Sequence, residues 1–303
     1  MPSPRKTLTE LELLQQRHAK WRLDGAHPVR TFEDASGFIA EVGLCLMDPA
    51  GPAVPAPTFV GAVAGSEDRL PATQQAFNDP RAQQARELML RLLRERAAFE
   101  AQYGGEDILL ISAEAFPYFY ALVGERNPKR ELESAAEKAS PLARDAYKLI
   151  QAKGPISKRH LGEALGGAPS EAALDRALGE LWSRLLITRT DYKTRDGIFW
   201  DALHRWAPAE VRSGRALSIA EGLSALISKY LETVVAAEAG EIESFFSPFA
   251  SRSRVRDAVN ALLAAREFAL VQVGRKSMIQ IAPAATTTKP TNERRRTSSR
   301  RQA

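Results

Sequence analysis

The sequence predicts a mainly α-helical chain with small β-hairpins, built as three tandem winged helix-turn-helix modules followed by a basic tail. Three observations lead there. Ser140 to Trp206 runs helix, short strand, helix, turn, helix, hairpin, the order of a winged helix. Leu217 to Ile281 repeats that order. The net charge of +5 on the 303-residue chain is gathered at one end, because six basic residues and only Glu293 follow Pro283.

The first module is placed at residues 1–128. Thr7 and Glu10 have capping-box spacing for a helix to about Leu23, with Leu8, Leu11, Leu14 and Trp21 turned inward. Thr31 and Asp34 resemble a second cap, and Phe32, Ala35, Phe38, Ile39 and Val42 give the helix behind it. That helix leads into the apolar run Gly43-Leu-Cys-Leu-Met and then Asp48-Pro49, an aspartate-proline pair that commonly initiates a turn. Six prolines between residues 49 and 80 predict a long irregular loop over the surface. Asp79-Pro80 then starts a long amphipathic helix through Ala85, Leu88, Met89, Leu92, Leu93 and Ala97, closed by Gly104-Gly105, whose arginines are interleaved with Glu87, Glu95 and Glu100 as on a solvated face. Ile108 to Ile111 reads as a buried strand, and Ser112 to Tyr120 as the aromatic start of a helix, with Glu114 at its N-terminus. Gly124 to Ala139 is charged and poor in apolar residues, so it reads as a linker.

The central module is placed at residues 140–212. Ser140, Ser157 and Ser170 each precede a helical apolar pattern, the last through Leu174, Leu178, Leu181, Trp182 and Leu185. Leu186 to Asp191 and Ile198 to Leu203 read as strands joined at Asp196-Gly197. The third helix mixes Glu171, Asp175 and Glu180 with Arg176 and Arg184, a composition that leaves DNA and protein partners both open. Arg189, Lys193 and Arg195 make its wing the better candidate for phosphate contact.

Pro208 to Arg215 reads as a second connection, and the third module as residues 216–282. Leu217 to Leu231 gives one helix, Ile242, Phe245 and Phe246 a short one, and Ser253 caps another carrying Val255, Val259, Leu262 and Leu263. A hairpin from Leu270 to Ile281 turns at Gly274-Arg275-Lys276. Arg252, Arg254 and Arg256 stand at the entering end of the third helix, with Asn260 one turn on and Arg275 and Lys276 on the wing. Arginines for phosphate or guanine and an asparagine able to pair with adenine are what groove contact requires.

Composition narrows the rest. A 44% hydrophobic content is ordinary for a globular protein, and no apolar run approaches membrane-spanning length, which predicts a cytoplasmic protein, nucleoid-associated when bound to DNA. Cys45 stands alone and the four histidines are scattered, so neither an internal disulfide nor a metal site is expected. No phosphate-binding or dinucleotide motif is present, so no cofactor is expected. Residues 283–303, rich in Thr, Ser and Arg, are expected to be a disordered basic tail.

Three stretches together resemble the AlkZ and YcaQ family of bacterial DNA glycosylases. They are Ile150-Gln-Ala-Lys-Gly-Pro-Ile-Ser157 through Trp200 to His204-Arg205, Gly43-Leu-Cys-Leu-Met-Asp48, and Ala113-Glu114-Ala115. The likeness spans about residues 8 to 282 and implies tandem winged helices acting on double-stranded DNA, damaged or intact. It places Asp48 on the second position of the family's catalytic Gln-apolar-Gln or Gln-apolar-Asp sequence and Leu46 on the first. Glu114 falls in the family's His-Glu-Ala, without the histidine. The implied chemistry is hydrolysis of the N-glycosidic bond by a monofunctional glycosylase. Asp48 would stabilise the oxocarbenium and position a water, with Glu114 in support.

The leading expectation is a DNA-binding protein related to alkylation- and crosslink-repair glycosylases. One alternative is an active glycosylase using Asp48 on alkylated or crosslinked purines. Another is a transcription regulator or protein-interaction adaptor. The sequence sets no oligomeric state.

Overall fold

A computed structural model describes residues 7–49, 54–68, 70, 79–105, 107–126, 139–167 and 169–283. The expected tail from residue 284 onward and linker residues 127–138 lie outside these. The described chain is mostly helical, with three small three-stranded sheets. None of the described helices is long and apolar enough to cross a membrane.

The N-terminal segment is β1 (Thr7–Leu8) and α1 (Glu10–Lys20). The capping box uses Thr9 and Glu12, two residues beyond the expected pair, since Thr7 is taken up as a strand residue. Leu13 and Trp21 are buried, whereas Leu11 and Leu14 are 63% and 48% exposed, contrary to expectation. The inward stripe is Leu13, Arg17 and Trp21, spaced four apart, because α1 docks largely through hydrogen bonds to distant carbonyls. Arg17 Nε donates to Val234 O at 2.9 Å and Nη2 to Ala236 O at 2.6 Å, and Trp21 Nε1 donates to Thr233 O at 3.0 Å.

A first unit follows: α2 (Phe32–Val42), β2 (Leu44–Leu46), α3 (Phe59–Ala64), α4 (Pro80–Arg94), β3 (Ala98–Tyr103) and β4 (Asp107–Ser112). Thr31 and Asp34 make the expected capping box, and Gly43 ends α2 at φ +71°. The sheet order is β2-β4-β3, antiparallel, with Leu44 opposite Ile111. Alternation explains the apolar run 44–47: Leu44 and Leu46 enter one core, while Cys45 and Met47 enter another beneath α2, α3 and α4. The expected surface loop 49–80 instead contains α3, whose Phe59, Val60, Gly61, Ala62 and Val63 are buried. At six residues it is too short to display a helical period in sequence.

After α5 (Phe116–Val123) comes a second unit: α6 (Pro141–Lys153), β5 (Ile156–Ser157), α7 (Lys158–Ala164), α8 (Glu171–Trp182), β6 (Ile187–Lys193) and β7 (Gly197–Ala202). The three expected serine caps are in place, accepting from the amides of Ala143, His160 and Ala173. The sheet order is β5-β7-β6. A short helix, α9 (Leu203–Trp206), begins where the second strand is expected to end, and Pro208 to Arg215, expected as a connection, is helical as α10 (Pro208–Ala216). Only Val211 and Gly214 of α10 are buried, too few to announce a helix. Gly214 lets the helix press on α5, where a Cβ would lie 2.7 Å from Pro117 O.

The third unit is α11 (Ile219–Val234), α12 (Ala239–Phe246), α13 (Arg252–Ala264), β8 (Phe268–Val273) and β9 (Lys276–Ile281). An isolated bridge, Ala237 to Ile279, stands where the other units have a short strand. β1 joins this sheet in parallel, in the order β1-β8-β9. The cap of α13 is Ser251, not the expected Ser253, which lies in the first turn. One apolar core runs through the first and third units, with Phe99, Phe116, Tyr120, Ile227, Tyr230 and Phe245 among its members. The second unit has its own.

Candidate nucleic-acid interface

α13 presents a broad exposed face that includes Arg252, Arg254, Arg256 and Asn260. Ser251 caps the first turn, its side chain accepting from the Arg254 amide, and Val255, Val259 and Leu262 hold the opposite face in the core. Arg256 is committed to Glu243, with Nε and Nη2 at 3.0 and 3.2 Å from the two carboxylate oxygens. That pairing holds the Glu243 carboxyl low and the guanidinium high. Arg252 and Arg254 make no ion pair among the described residues. On the hairpin, Arg275 is exposed, while Lys276 Nζ lies 2.5 Å from Glu238 Oε1.

The second unit divides differently. Lys193 and Arg195 are exposed at the hairpin tip, with Lys193 Nζ 4.8 Å from the Phe199 ring centroid. Arg189 points the other way. Its guanidinium grips both oxygens of Glu100 on β3 and lies 4.4 Å from the Trp182 ring centroid. Glu100 is 1% exposed, and burial pushes its carboxyl up against the pull of Arg189. This residue therefore joins the first unit to the second and is not displayed to a ligand. The sequence reads Glu100 onto the solvated face of a helix reaching Gly104-Gly105; instead the helix ends at Arg94 and Ala98–Tyr103 is a strand paired to β4, which turns Glu100 inward.

The corresponding helix of the first unit is occupied. Arg94 of α4 bonds Asp191 on β6, Arg81 bonds its own cap Asp79, and Arg91 lies 4.5 Å from the Phe32 ring centroid. In the second unit α8 exposes Glu171 and Asp175, the latter 2.6 Å from Lys158. Arg176 of α8 is exposed as well, beside Glu171 and Asp175; among the described residues α13 differs in exposing three arginines, Arg252, Arg254 and Arg256, on one helix.

Asp48 and Glu114 are not brought together. Asp48 follows Met47, whose amide donates to Ile108 O, so it lies near the Asp107 end of β4. It is 6% exposed, and its Oδ1 has no hydrogen-bond partner among the described residues. Burial pushes its carboxyl up, Arg86 draws it down and Asp107 adds to the rise. Glu114 lies beyond Ser112 at the opposite end of β4, exposed, in a cleft of about 280 Å³ shared with Ser112, Tyr118, Ser228, Lys229 and Glu232. Five residue steps of strand separate the two sites by about 17 Å. Lys229 had no signal in sequence. Its stem crosses Gly43, where a Cβ would lie 2.5 Å from Lys229 Cγ.

A family model described as DNA glycosylase AlkZ-like matches residues 80–299. Among solved structures, the Streptomyces sahachiroi DNA glycosylase AlkZ aligns with a TM-score of 0.58 at 12% identity, covering 91% of this chain and 70% of that chain. At that identity the likeness is one of fold. Curated proteins gave no match.

Proposed function

For a chain that belongs to the AlkZ-like DNA glycosylase family, we propose a double-stranded-DNA-binding function carried by three winged helix-turn-helix modules, with α13 as the helix that enters a groove. The repeated order of helices and hairpin over residues 29–112, 140–202 and 217–281 supports the three modules, with residues 7–23 packed on the third. The observation that carries the DNA reading is the pair Arg252 and Arg254, unpaired among the described residues on an exposed helix that also offers Asn260. Guanidiniums that lie outside ion-pair range of a carboxylate displace the counterions condensed on DNA when they meet its phosphates, and Asn260 is able to take a base edge.

Binding is favoured over base excision by the distance between Asp48 and Glu114. Hydrolysis of an N-glycosidic bond needs the carboxylate that stabilises the sugar cation and the group that positions water at the same sugar. Asp48, nearly sealed from solvent, stands at the far end of a strand from Glu114. The reading requires no cofactor.

Titrating a labelled duplex at several salt concentrations tests the proposal. Arg252→Ala with Arg254→Ala is expected to reduce the log–log salt slope by roughly 2, about 0.9 for each phosphate left without its guanidinium. Unchanged affinity and slope would remove α13 from the interface. In a parallel assay, release of an N7-alkylated purine from damaged duplex is expected to stay at the uncatalysed rate and to be indifferent to Asp48→Asn. Enzyme-dependent release that disappears in that variant would turn the reading to catalysis.

A further inference from the structure

The hairpin tip of the third unit carries Arg275 and Lys276, where a winged helix touches the phosphate backbone. Carboxylates gather there. Glu238, at the start of α12, pairs with Lys276 at 2.5 Å, the side chains being 55% and 39% exposed for Lys276 and Glu238. Glu10, the first residue of α1, rests on Gly274: a Cβ there would lie 2.6 Å from Glu10 Oε1. After Glu238, both Glu241 and Glu10 help hold the Lys276 ammonium in its charged form.

The contact with Glu10 is built in. Thr7 and Leu8 of β1 pair with Gln272 and Val273 at the end of β8, delivering α1 to the turn. Arg17 then fastens the helix to the carbonyls of Val234 and Ala236. Thus the far end of the chain supplies a negative charge to the one hairpin that flanks α13. The arrangement is opposite to that on α13, where Arg252 and Arg254 have no carboxylate in ion-pair range among the described residues.

We infer that Glu10, delivered by the β1–α1 segment, and Glu238 form an intramolecular counter-charge that withholds Lys276 of the third hairpin from the phosphate backbone, while Arg252 and Arg254 of α13 stay available to it. The inference rests on the DNA-binding reading above and concerns regulation of that interface. A phosphate and the Glu238 carboxylate compete for the same ammonium. An exposed pair of this kind is weak and screened by salt, so the restraint is graded: a dense phosphate array displaces it more readily once either carboxylate is neutralised.

The test compares the full chain with its Glu10→Gln, Glu238→Gln double variant in duplex titrations across salt concentrations. Glutamine at 238 keeps an oxygen for the α12 cap. The variant is expected to show a salt slope steeper by about 0.9 per released cation, an extra gain of about eightfold for each tenfold fall in salt. Adding Lys276→Met should abolish the gain from that cation. Equal slopes, with both proteins still weakened by Arg252→Ala, overturn the counter-charge and leave α13 binding intact. No salt-dependent binding by either protein, with both melting as folded chains, overturns the counter-charge and the DNA reading together.

Discussion

Arg189 shows how a residue can be correctly placed on its strand and still be assigned the wrong neighbour. Sequence puts it on the hairpin of the second unit, as found, yet strand alternation fixes a face and not what lies against that face. Glu100, 89 positions away, lies there. Removing one partner of a buried pair leaves the other charge uncompensated, so Arg189→Ala is expected to cost about 3–5 kcal/mol in urea unfolding, while the protein that remains folded keeps its duplex affinity. A loss below about 1 kcal/mol would mean the pair is wet. Asp48 gives the opposite sign. Its folded carboxyl is raised by burial, so the folded state holds its proton more tightly, and stability falls as pH rises from the ordinary aspartate value of 3.8 through the raised folded one. Asp48→Asn should raise stability at neutral pH and flatten that dependence; a destabilised variant would show that Arg86 outweighs burial. Asp79 is lowered to about 2 by Arg81. Its contribution is complete above pH 3.8 and is lost as pH falls toward 2, so amide exchange at the start of α4 should quicken over that window and not in Asp79→Ala.

Elements are legible where a cap and a long apolar period coincide. Thr31, Asp79, Ser140, Ser157 and Ser170 mark helix starts that are found, and Asp196-Gly197 and Gly274 mark the hairpins. Elements hidden from sequence lack that coincidence: α3 is six residues among prolines, and α10 buries only Val211 and Gly214. The first helix is misphased in sequence, Trp21 apart, because its docking side runs through Leu13 and Arg17, and a hydrophobic period does not weigh an arginine. Two helical glycines separate propensity from packing. A Cβ added to Gly37 of α2 would meet nothing within 4 Å, so Gly37→Ala should stabilise by about 0.5–1 kcal/mol. A Cβ added to Gly222 of α11 would lie 2.7 Å from Tyr118 O, so Gly222→Ala should destabilise by about 1–3 kcal/mol as α5 is pushed away. Thermal melting of the two variants distinguishes them, and equal shifts would count against the close helix packing.

At the scale of the molecule, the sequence predicts successive units of helices and hairpin but not their adjacency in space. The first unit packs on the third through a common core, with Thr233 Oγ1 donating to Val42 O, and meets the second through Glu100 and Arg94. Pairing between surfaces so far apart along the chain has no local signature. For the same reason Arg256 and Lys276 look as free in sequence as Arg252, Arg254 and Arg275, although Glu243 and Glu238 hold them.

The parallel pairing of Thr7 and Leu8 with Gln272 and Val273 makes the polypeptide a ring fastened by a clasp. Severing one link of such a ring does not open it. A chain cut at a protease site engineered between residues 126 and 139 should elute as one particle at its original size, because the amino-terminal piece is still gripped by α10, α11 and β8. The two pieces would part only after the clasp and the aromatic seam between α5 and its neighbours have both given way.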